Sequence, residues 1–495
     1  MPLHGRLKSR GLQFWPGILK TFANTFSMKN GHAVENDPLD RIPLPTLMRA
    51  GIFILLLAVS VRAAPVSFKA EIAPLLRMKC QSCHGARDSK GDFRLDSYAE
   101  LMRALEDEPA RVLPGKGGES LLFQLLTTAD ADERMPQKSG ALPAKTIALV
   151  KRWIDEGAKF DGADPKATLA QVIPARTHAA APKVYGRDMP ITALAFSPDG
   201  SLLATSGLRE IILWNTADGK MVRRIPNMTQ RTFALAWHPD GKLIFAGGGI
   251  PGELGEVRAF TPAGKLRAVL HRAADVVLDV QLDANATHPA RLAVGDADNL
   301  ITLYDPAEFS VLRQIDNHSD WVMALAFSPD GKHLASASRD QTAKIFELKS
   351  GEAISTYGGH KTPVQGVAFR GDGKAVFSTD RAGAIHVWKA GLADIEGKRF
   401  GAEKISQISN LGHDVFKLHR RGNQLLSHGS DGRARLFQAD NRKAIRAFAH
   451  EGGWLMSAAW HVKTSRLATG AHDGSVCIWD TKNGKLLRRL DALPR

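Results

Sequence analysis

A repeat that begins near residue 190 constrains the fold of this chain more than any other feature. The segment ALAFSPDG at 193–200 returns as ALAWHPDG at 234–241, as ALAFSPDG at 324–331 and as GVAFRGDG at 366–373. Weaker copies place Val280, Leu418 and Trp460 at the position of the Phe or Trp. The result is seven units at intervals of about 40–50 residues. Residues 190–491 are therefore expected to form one repeat domain.

A second aromatic position follows the first in every unit and closes an alternating strand such as AIHVW or SVCIW. Its seven occupants are Trp214, Phe260, Tyr304, Phe346, Trp388, Phe437 and Trp479. Four short strands per unit and this period are typical of an all-β propeller with seven blades. The repeats resemble the WD40 family, although only Trp479-Asp480 reads as the WD dipeptide.

Histidines and aspartates recur at fixed distances from these aromatic positions. The histidines are His271, His318, His360 and His450, and the aspartates are Asp298, Asp340, Asp431 and Asp473. The WD40 resemblance implies that such a pair hydrogen-bonds through a Ser or Thr and locks its blade. The spacing distributes the pairs around the ring, which favours a structural role over metal binding or catalysis. Blades 1 and 2 lack both members and Ala382 replaces the Asp of blade 5, so these blades are expected to be less rigid there.

Two of the three cysteines of the chain stand together with a histidine in KCQSCHG, as Cys80, Cys83 and His84. A Cys pair of this spacing can be a disulfide, a redox motif, half of a zinc site or a haem attachment motif. A structural zinc needs four N or S ligands, and the third cysteine, Cys477, is almost 400 residues away. No βαβ pattern surrounds the motif, as a thioredoxin-like site would require. Cys-x-x-Cys-His therefore favours covalent haem, with His84 as an axial ligand of the iron.

The sixth iron ligand is expected to be Met135. Apolar residues at helical spacing in VSFKAEIAPLLRMKC predict a helix that leads to the cysteines, and Met78 lies on that helix. Met102 falls at a core position of another predicted helix. Met135 stands in the polar loop DERMPQKSG, where the following Pro136 disfavours helix. Thioether opposite imidazole suits electron transfer.

The blocks APLLRMKCQSCHG, GDFRLDSYAELMR, VLPGKGGESLLFQLL, RMPQ and ALVKRWIDEGAKFDG resemble, in this order, the planctomycete-type cytochrome c domain. The resemblance implies a small all-α, class I-like domain at 65–162 that carries one haem c. It implies thioether bonds through Cys80 and Cys83, His84 as proximal ligand and Met135 as distal ligand. Gln137 departs from the residue expected after the Met-Pro pair. Residues 163–189, rich in Ala and Pro, are interpreted as a linker to the propeller.

The apolar run GIFILLLAVSV predicts a secretory signal peptide at 48–63, with cleavage near Ala63. Residues 1–47 carry acidic residues that do not suit a signal, so translation is hypothesised to start at Met48. The mature protein is expected in the periplasm or cell envelope without a transmembrane anchor. The formal net charge is +15, but no cluster of Lys and Arg interleaves with aromatic residues, so nucleic acid is not expected as a partner.

The sequence favours an exported electron-transfer cytochrome whose propeller binds a protein, with an unknown redox partner. The alternatives are a haem-based redox or gas sensor and the haem subunit of a propeller oxidoreductase. No residue of the propeller indicates a catalytic site, so the sequence favours an electron carrier and binding scaffold over an enzyme.

Overall fold

The computed structural model describes residues 64–81, 83–85, 89–104, 111–137, 140–283, 289–391 and 402–494. The predicted upstream extension (1–47) and signal peptide (48–63) lie outside these residues. Residues from Ala64 onward form one compact unit. Within the described part of the chain, no helix has the length and apolar character that a membrane crossing would need.

The first part of this unit is helical, as the sequence predicted. A π-helical turn, Phe68–Ile72, leads directly into α1. The α-helices are α1 (Ala73–Lys79), α2 (Tyr98–Leu101), α3 (Leu121–Thr127), α4 (Ala144–Asp155) and α5 (Leu169–Val172), with short 3₁₀ turns at Lys90–Asp92 and Gly117–Glu119.

An aromatic core holds these short helices together. Phe68 is fully buried, and its ring centroid lies 5.1 Å from that of Tyr98 and 5.6 Å from that of Trp153. Trp153 is 1% exposed and donates from Nε1 to the carbonyl oxygen of Lys159 at 3.1 Å, so it is a core residue with a satisfied indole N–H. After α4, Gly157 adopts a φ of +97°, which reverses the chain at the helix end.

Seven four-stranded antiparallel sheets follow, and each is one blade of a propeller. Blades 1 to 4 contain β1 (Leu194–Phe196), β2 (Leu202–Ser206), β3 (Ile211–Asn215), β4 (Met221–Ile225); β5 (Arg231–Trp237), β6 (Ile244–Ile250), β7 (Leu254–Phe260), β8 (Leu266–Ala273); β9 (Val277–Asp283), β10 (Arg291–Asp296), β11 (Leu300–Tyr304), β12 (Val311–Asp316); and β13 (Val322–Phe327), β14 (His333–Ser338), β15 (Ala343–Glu347), β16 (Ala353–Tyr357). Blades 5 to 7 contain β17 (Val364–Phe369), β18 (Ala375–Asp380), β19 (Ala384–Lys389), β20 (Lys404–Asn410); β21 (Val415–Arg421), β22 (Gln424–Gly429), β23 (Arg433–Gln438), β24 (Ala444–Ala449); and β25 (Leu455–His461), β26 (Arg466–Ala471), β27 (Ser475–Asp480), β28 (Leu486–Asp491).

Every blade is built from four consecutive strands, with the first strand at the channel and the fourth at the outer edge. The ring closes between blades 7 and 1 through segments next to the strands. The Ile191 amide donates to the carbonyl oxygen of Ala471 at 3.1 Å, and Ser457 donates to the carbonyl oxygen of Ile191. At the other end, the Tyr185 amide donates to the carbonyl oxygen of Pro494 at 2.8 Å.

The strand register confirms the second aromatic position in all seven blades and corrects the first position in two. In five blades, the predicted Phe or Trp of the first strand pairs with a residue of the second strand. That second-strand residue also pairs, on its other side, with the later aromatic residue in the third strand. In blade 3 the residue at this position is Leu282, which pairs with Leu292, and in blade 6 it is Arg420, which pairs with Leu425. Val280 and Leu418 are therefore two residues out of register. Because side chains alternate along a strand, a shift of two preserves the burial pattern and is invisible in the periodicity.

The histidine pairs form as expected in blade 4 and differ in blades 3 and 5. His318 binds Asp340 Oδ2 through Nδ1 at 2.8 Å and Ser336 Oγ through Nε2 at 2.6 Å. In blade 3, His271 pairs with Asp296 instead of Asp298. In blade 5, His360 pairs with Asp380 at 2.8 Å. The loss of the carboxylate at Ala382 is thus compensated two residues earlier.

Blade 7 forms the predicted connection of histidine and aspartate through a serine, and blades 1, 2 and 6 use other polar groups at the corresponding places. In blade 6, Asp431 lies 3.3 Å from Nε2 of His413. In blade 7, His450 contacts Thr469 and Ser475, and Ser475 donates to Asp473. Blades 1 and 2, which lack the pair, bury a glutamate each. Glu210 accepts from the Tyr185 hydroxyl at 2.7 Å, and Glu256 lies 2.8 Å from His178 Nε2.

Candidate haem-attachment site

The predicted attachment motif begins at the end of helix α1. It ends at Lys79, and Cys80 is its C-cap residue. The amides of Cys83 and His84 both donate to the Cys80 carbonyl oxygen at 3.1 Å, which folds the motif into one tight turn. A Cβ on Gly85 would lie 2.8 Å from the carbonyl oxygen of Gln81, so the turn leaves no room for a side chain there. Cys80, Cys83 and His84 therefore lie in one turn.

The imidazole of His84 is oriented by a backbone contact. Its Nδ1 lies 3.2 Å from the carbonyl oxygen of Phe93. A carbonyl can only accept, so Nδ1 carries the proton and Nε2 is the ring nitrogen with a lone pair. The His84 carbonyl oxygen accepts from the Leu95 amide at 2.9 Å, which fixes the backbone of this residue. This arrangement suits a metal-ligating histidine, because ligand histidines usually donate their other ring N–H to a carbonyl or carboxylate.

Met135 and Cys80 are both partly buried against the same helical core. The Met135 amide donates to the carbonyl oxygen of Leu125 in α3 at 2.8 Å, so its loop is attached to the helical region. Met102 also packs against this core. Cys80 and Met135 therefore pack against one small core, and two thiols, an oriented imidazole and a thioether are the donor set that a covalent haem c would use.

An arginine of α1 fastens this motif to the propeller. Arg77 is only 3% exposed and donates to the carbonyl oxygens of Val269 and Leu270 in β8, the outer strand of blade 2; the Val269 contact is 2.9 Å. Its guanidinium carbon lies 5.6 Å from the ring centroid of Tyr304 in blade 3. Burial lowers the pKa of Arg77 to about 10, so the side chain stays charged at neutral pH.

Tyr304 connects this arginine to the buried His271–Asp296 pair of blade 3. The Tyr304 hydroxyl lies 2.8 Å from His271 Nδ1, and His271 Nε2 lies 2.9 Å from Asp296 Oδ2. The Asp296 carboxylate accepts a hydrogen bond from Nε2–H of His271. Nδ1 of His271 therefore accepts a hydrogen bond from the Tyr304 hydroxyl. All three side chains are at most 1% exposed, and burial raises the pKa of Tyr304 above its ordinary value.

The turn between the two cysteines contacts the propeller as well. Gln81 is 1% exposed, and its Oε1 accepts from the amide of Val311 in β12 at 3.3 Å. Arg77 on α1 and Gln81 in the motif therefore both contact the propeller. The segment predicted as a linker (163–189) contains α5, whose Leu169 joins the helical core while Ala170 packs against blades 2 and 3. The helical region is therefore packed against the propeller.

Sequence reasoning did not identify Arg77 or Gln81 as contact residues. Both belong to polar types that usually lie in solvent, and nothing in their local pattern distinguishes them from the exposed Lys79. Their partners are backbone groups about 190 and 230 residues away, which no local sequence signal encodes.

The third cysteine is buried in the propeller. Cys477 is 3% exposed inside blade 7, and burial raises the pKa of its thiol to about 11. Among the described residues, no group of three or more His, Cys, Asp or Glu side chains could hold a metal ion. A haem iron held by imidazole and thioether would not require such a group.

Models of known protein families match both the helical region and the propeller. The model for planctomycete cytochrome C matches residues 80–139, which begin at Cys80 and include Met135. The model for the WD domain, G-beta repeat, matches residues 182–215, 309–347, 351–389 and 442–480.

Curated relatives match the chain at low identity. WD repeat-containing protein 1 of Xenopus tropicalis is 24% identical over 311 residues, which cover 60% of this chain and 49% of that protein. Actin-interacting protein 1 of Drosophila melanogaster is 22% identical over 59% of this chain and 48% of its own length. The Denticleless protein homolog of Danio rerio is 26% identical over 41% of this chain and 29% of its own length. The chain thus spans about half the length, or less, of these relatives.

Proposed function

The chain combines a planctomycete-type cytochrome c segment with a seven-bladed WD40 propeller, and we propose that it is an exported electron-transfer protein. In this proposal Cys80 and Cys83 would hold one haem c by thioether bonds, and His84 and Met135 would be the ligands of its iron. Bound haem would supply a one-electron iron centre. The observation that carries the proposal is the hydrogen bond of His84 Nδ1 to the carbonyl oxygen of Phe93, which presents Nε2 as the ligand nitrogen.

The residues around the motif have complementary roles in this proposal. The Phe93 carbonyl holds the His84 ring, and the thioether of Met135 would occupy the position where a small substrate could otherwise bind. Arg77 and Gln81 hold the motif against blades 2 and 3. The haem would thus keep a fixed place relative to the propeller instead of moving on a free linker.

The WD40 propeller is a scaffold for protein interactions, and we propose that it binds the redox partner or a protein that recruits one. Trp454 of blade 7 is 44% exposed, and its ring centroid lies 6.4 Å from that of Phe416 in blade 6. Exposed aromatic residues of this kind are enriched in protein interfaces. We also propose export through the signal peptide at 48–63, and mass spectrometry of the mature N-terminus tests it.

The central experiment is expression of the full chain together with a cytochrome c maturation system. The purified protein should be coloured and should keep its pigment in acidified acetone. Cys80→Ser and Cys83→Ser should each weaken or abolish covalent attachment. Cys477→Ser is the matched control and should leave it unchanged. Colourless protein, or pigment that is extracted from the parent chain, would contradict the proposal, and a reduced form that readily binds carbon monoxide would favour a sensor or an enzyme.

A further inference from the structure

The central channel of the propeller contains a cavity of about 660 Å³ that is independent of the haem-attachment site. The turns between the first and second strands surround its opening, with Pro198, Pro239 and Pro329 on the wall. Further along the channel, Lys417 of blade 6 binds Asp279 of blade 3 at 2.7 Å and so bridges the two blades. The volume lies in the range of small-molecule sites.

One ring of the cavity wall comes from the corrected first-strand position. The seven blades contribute Phe196, Trp237, Leu282, Phe327, Phe369, Arg420 and Trp460 at this position, and all seven line the cavity. Six members are apolar or aromatic. Blade 6 is the exception, because Arg420 places a guanidinium where the other blades present a hydrocarbon or aromatic surface.

Trp460, in the blade next to Arg420, carries an indole N–H that has no acceptor among the described residues. In blade 2 the equivalent Trp237 donates from Nε1 to the carbonyl oxygen of Ala195 in the preceding blade at 3.1 Å. The Nε1–H of Trp460 is buried and has no hydrogen-bond acceptor among the described residues. A buried donor without an acceptor costs about 1–3 kcal/mol, so an acceptor atom from a ligand would stabilise this site.

The charges around the cavity favour an anion. Arg420, Arg421 and Lys463 line it on the side of blades 6 and 7. Asp283 is the acidic residue among the described lining residues, and it lies 3.4 Å from the guanidinium of Arg291. Arg420 itself donates to the carbonyl oxygen of Gly422 at 3.2 Å through Nη1. A planar guanidinium with further N–H groups matches a carboxylate well.

We propose that this cavity binds a small organic carboxylate, whose carboxylate group contacts Arg420 and Trp460 Nε1 and whose apolar body packs on the partly exposed apolar residues of the wall. Phe327 and Leu282, which are only partly buried, provide that apolar surface. A small inorganic anion would not use it, which is why the proposal commits to an organic ligand.

The test is isothermal titration of the full chain with acetate, benzoate and naphthoate, with benzyl alcohol as the uncharged analogue and inorganic phosphate as a competitor. Affinity should rise from acetate to naphthoate and should be at least about tenfold lower for benzyl alcohol than for benzoate. Arg420→Phe restores the residue type of the other blades and should lower benzoate affinity at least about tenfold. Trp460→Phe keeps the ring, removes the N–H and should lower it several-fold.

Arg433→Ala, which changes an exposed arginine of the same blade outside the cavity, is the control and should leave the affinity unchanged. Absence of benzoate and naphthoate binding by the parent chain would overturn the proposal. Equal affinities for acetate, phosphate and naphthoate would overturn the organic part of it. If Arg420→Phe fails to fold, Trp460→Phe decides the outcome, because unchanged benzoate affinity in that variant contradicts the assigned contact. None of these readouts depends on haem.

Discussion

Arg77, three residues before the first cysteine of the attachment motif, lies with its guanidinium carbon 5.6 Å from the ring centroid of Tyr304 in the propeller. The same guanidinium donates to two carbonyl groups of the outer strand of blade 2. Outer strands present unpaired backbone groups, and here a residue of the helical region pairs with two of them. The propeller therefore fixes the position of the proposed haem segment.

Arg77→Met tests this attachment. Met retains much of the apolar volume but leaves the carbonyl oxygens of Val269 and Leu270 without their donor, which should cost roughly 2 kcal/mol. Hydrogen exchange should become faster in residues 73–81 and 266–273, measured by mass spectrometry of the full chain. Arg103→Met removes an exposed ion pair with Glu100 and should cost less than about 0.5 kcal/mol. Unchanged protection in both segments of Arg77→Met would contradict the role given to this arginine.

The sequence was sufficient for the fold class, the seven blades and the helical region, because strand alternation and turn residues are local signals. It placed all seven later aromatic residues at equivalent positions, but it placed Val280 and Leu418 two residues away from the true positions. Strand periodicity has a period of two, so it cannot distinguish such a shift. The same offset separates Asp298 from Asp296, the true partner of His271.

The turn at the attachment motif was also predictable, since Cys80, Cys83 and His84 are neighbours in sequence. The orientation of His84 was not, because it depends on the backbone of Phe93 nine residues later. The packing of the helical region on the propeller depends on Arg77 and Gln81, whose partners are backbone groups in distant blades. Composition alone indicated a linker at 163–189 and did not show whether the two parts dock; Leu169 of this segment joins the helical core and Ala170 packs against blades 2 and 3.

Substitutions at Asp296 and Asp298 test which of these aspartates pairs with His271 in blade 3. Asp296 is fully buried and accepts from His271 Nε2 and from the amides of Asp298 and Leu300. Asp296→Asn should lower the free energy of unfolding by about 2–3 kcal/mol, because charge-assisted hydrogen bonds to a buried group are lost. Asp298 accepts a hydrogen bond from the Ala274 amide. Asp298→Asn should lower the free energy of unfolding by less than about 1 kcal/mol. Urea unfolding measures both, and the opposite order would restore the sequence-based assignment.

Met135→Ala tests the distal ligand of the proposed haem. The oxidised protein should lose the weak long-wavelength charge-transfer band of Met-ligated haem, and its reduction potential should fall because a ligand that favours reduced iron is removed. Haem should remain attached, since Cys80 and Cys83 are unchanged. Met102→Ala, at another methionine that packs against the same core, should keep the band. A band that persists in Met135→Ala, or that disappears in Met102→Ala, would assign the ligand elsewhere.

The stability of the propeller should fall in mild acid because His428 is buried as a neutral imidazole. Burial lowers the pKa of His428 from 6.5 to about 4, and its Nδ1–H donates to the carbonyl oxygen of Leu455 at 3.0 Å. Its folded pKa is depressed, so the unfolded chain binds the proton first. The contribution is therefore complete above about pH 6.5 and is lost as the pH falls toward 4, by roughly 3 kcal/mol over the whole interval. Urea midpoints measured from pH 7 to pH 4.5 should show this decline.

A variant that cannot titrate isolates the contribution of His428 from those of the other histidines. Asn places an amide N–H near the position of Nδ1–H, so His428→Asn can still donate to the Leu455 carbonyl while it binds no proton in this range. Stability of this variant should depend less steeply on pH between 6.5 and 4.5 than that of the parent chain. His472→Asn changes an exposed histidine and should leave the slope unchanged. Equal slopes for the parent and His428→Asn would mean that the imidazole of His428 is protonated as easily inside the folded propeller as in the unfolded chain.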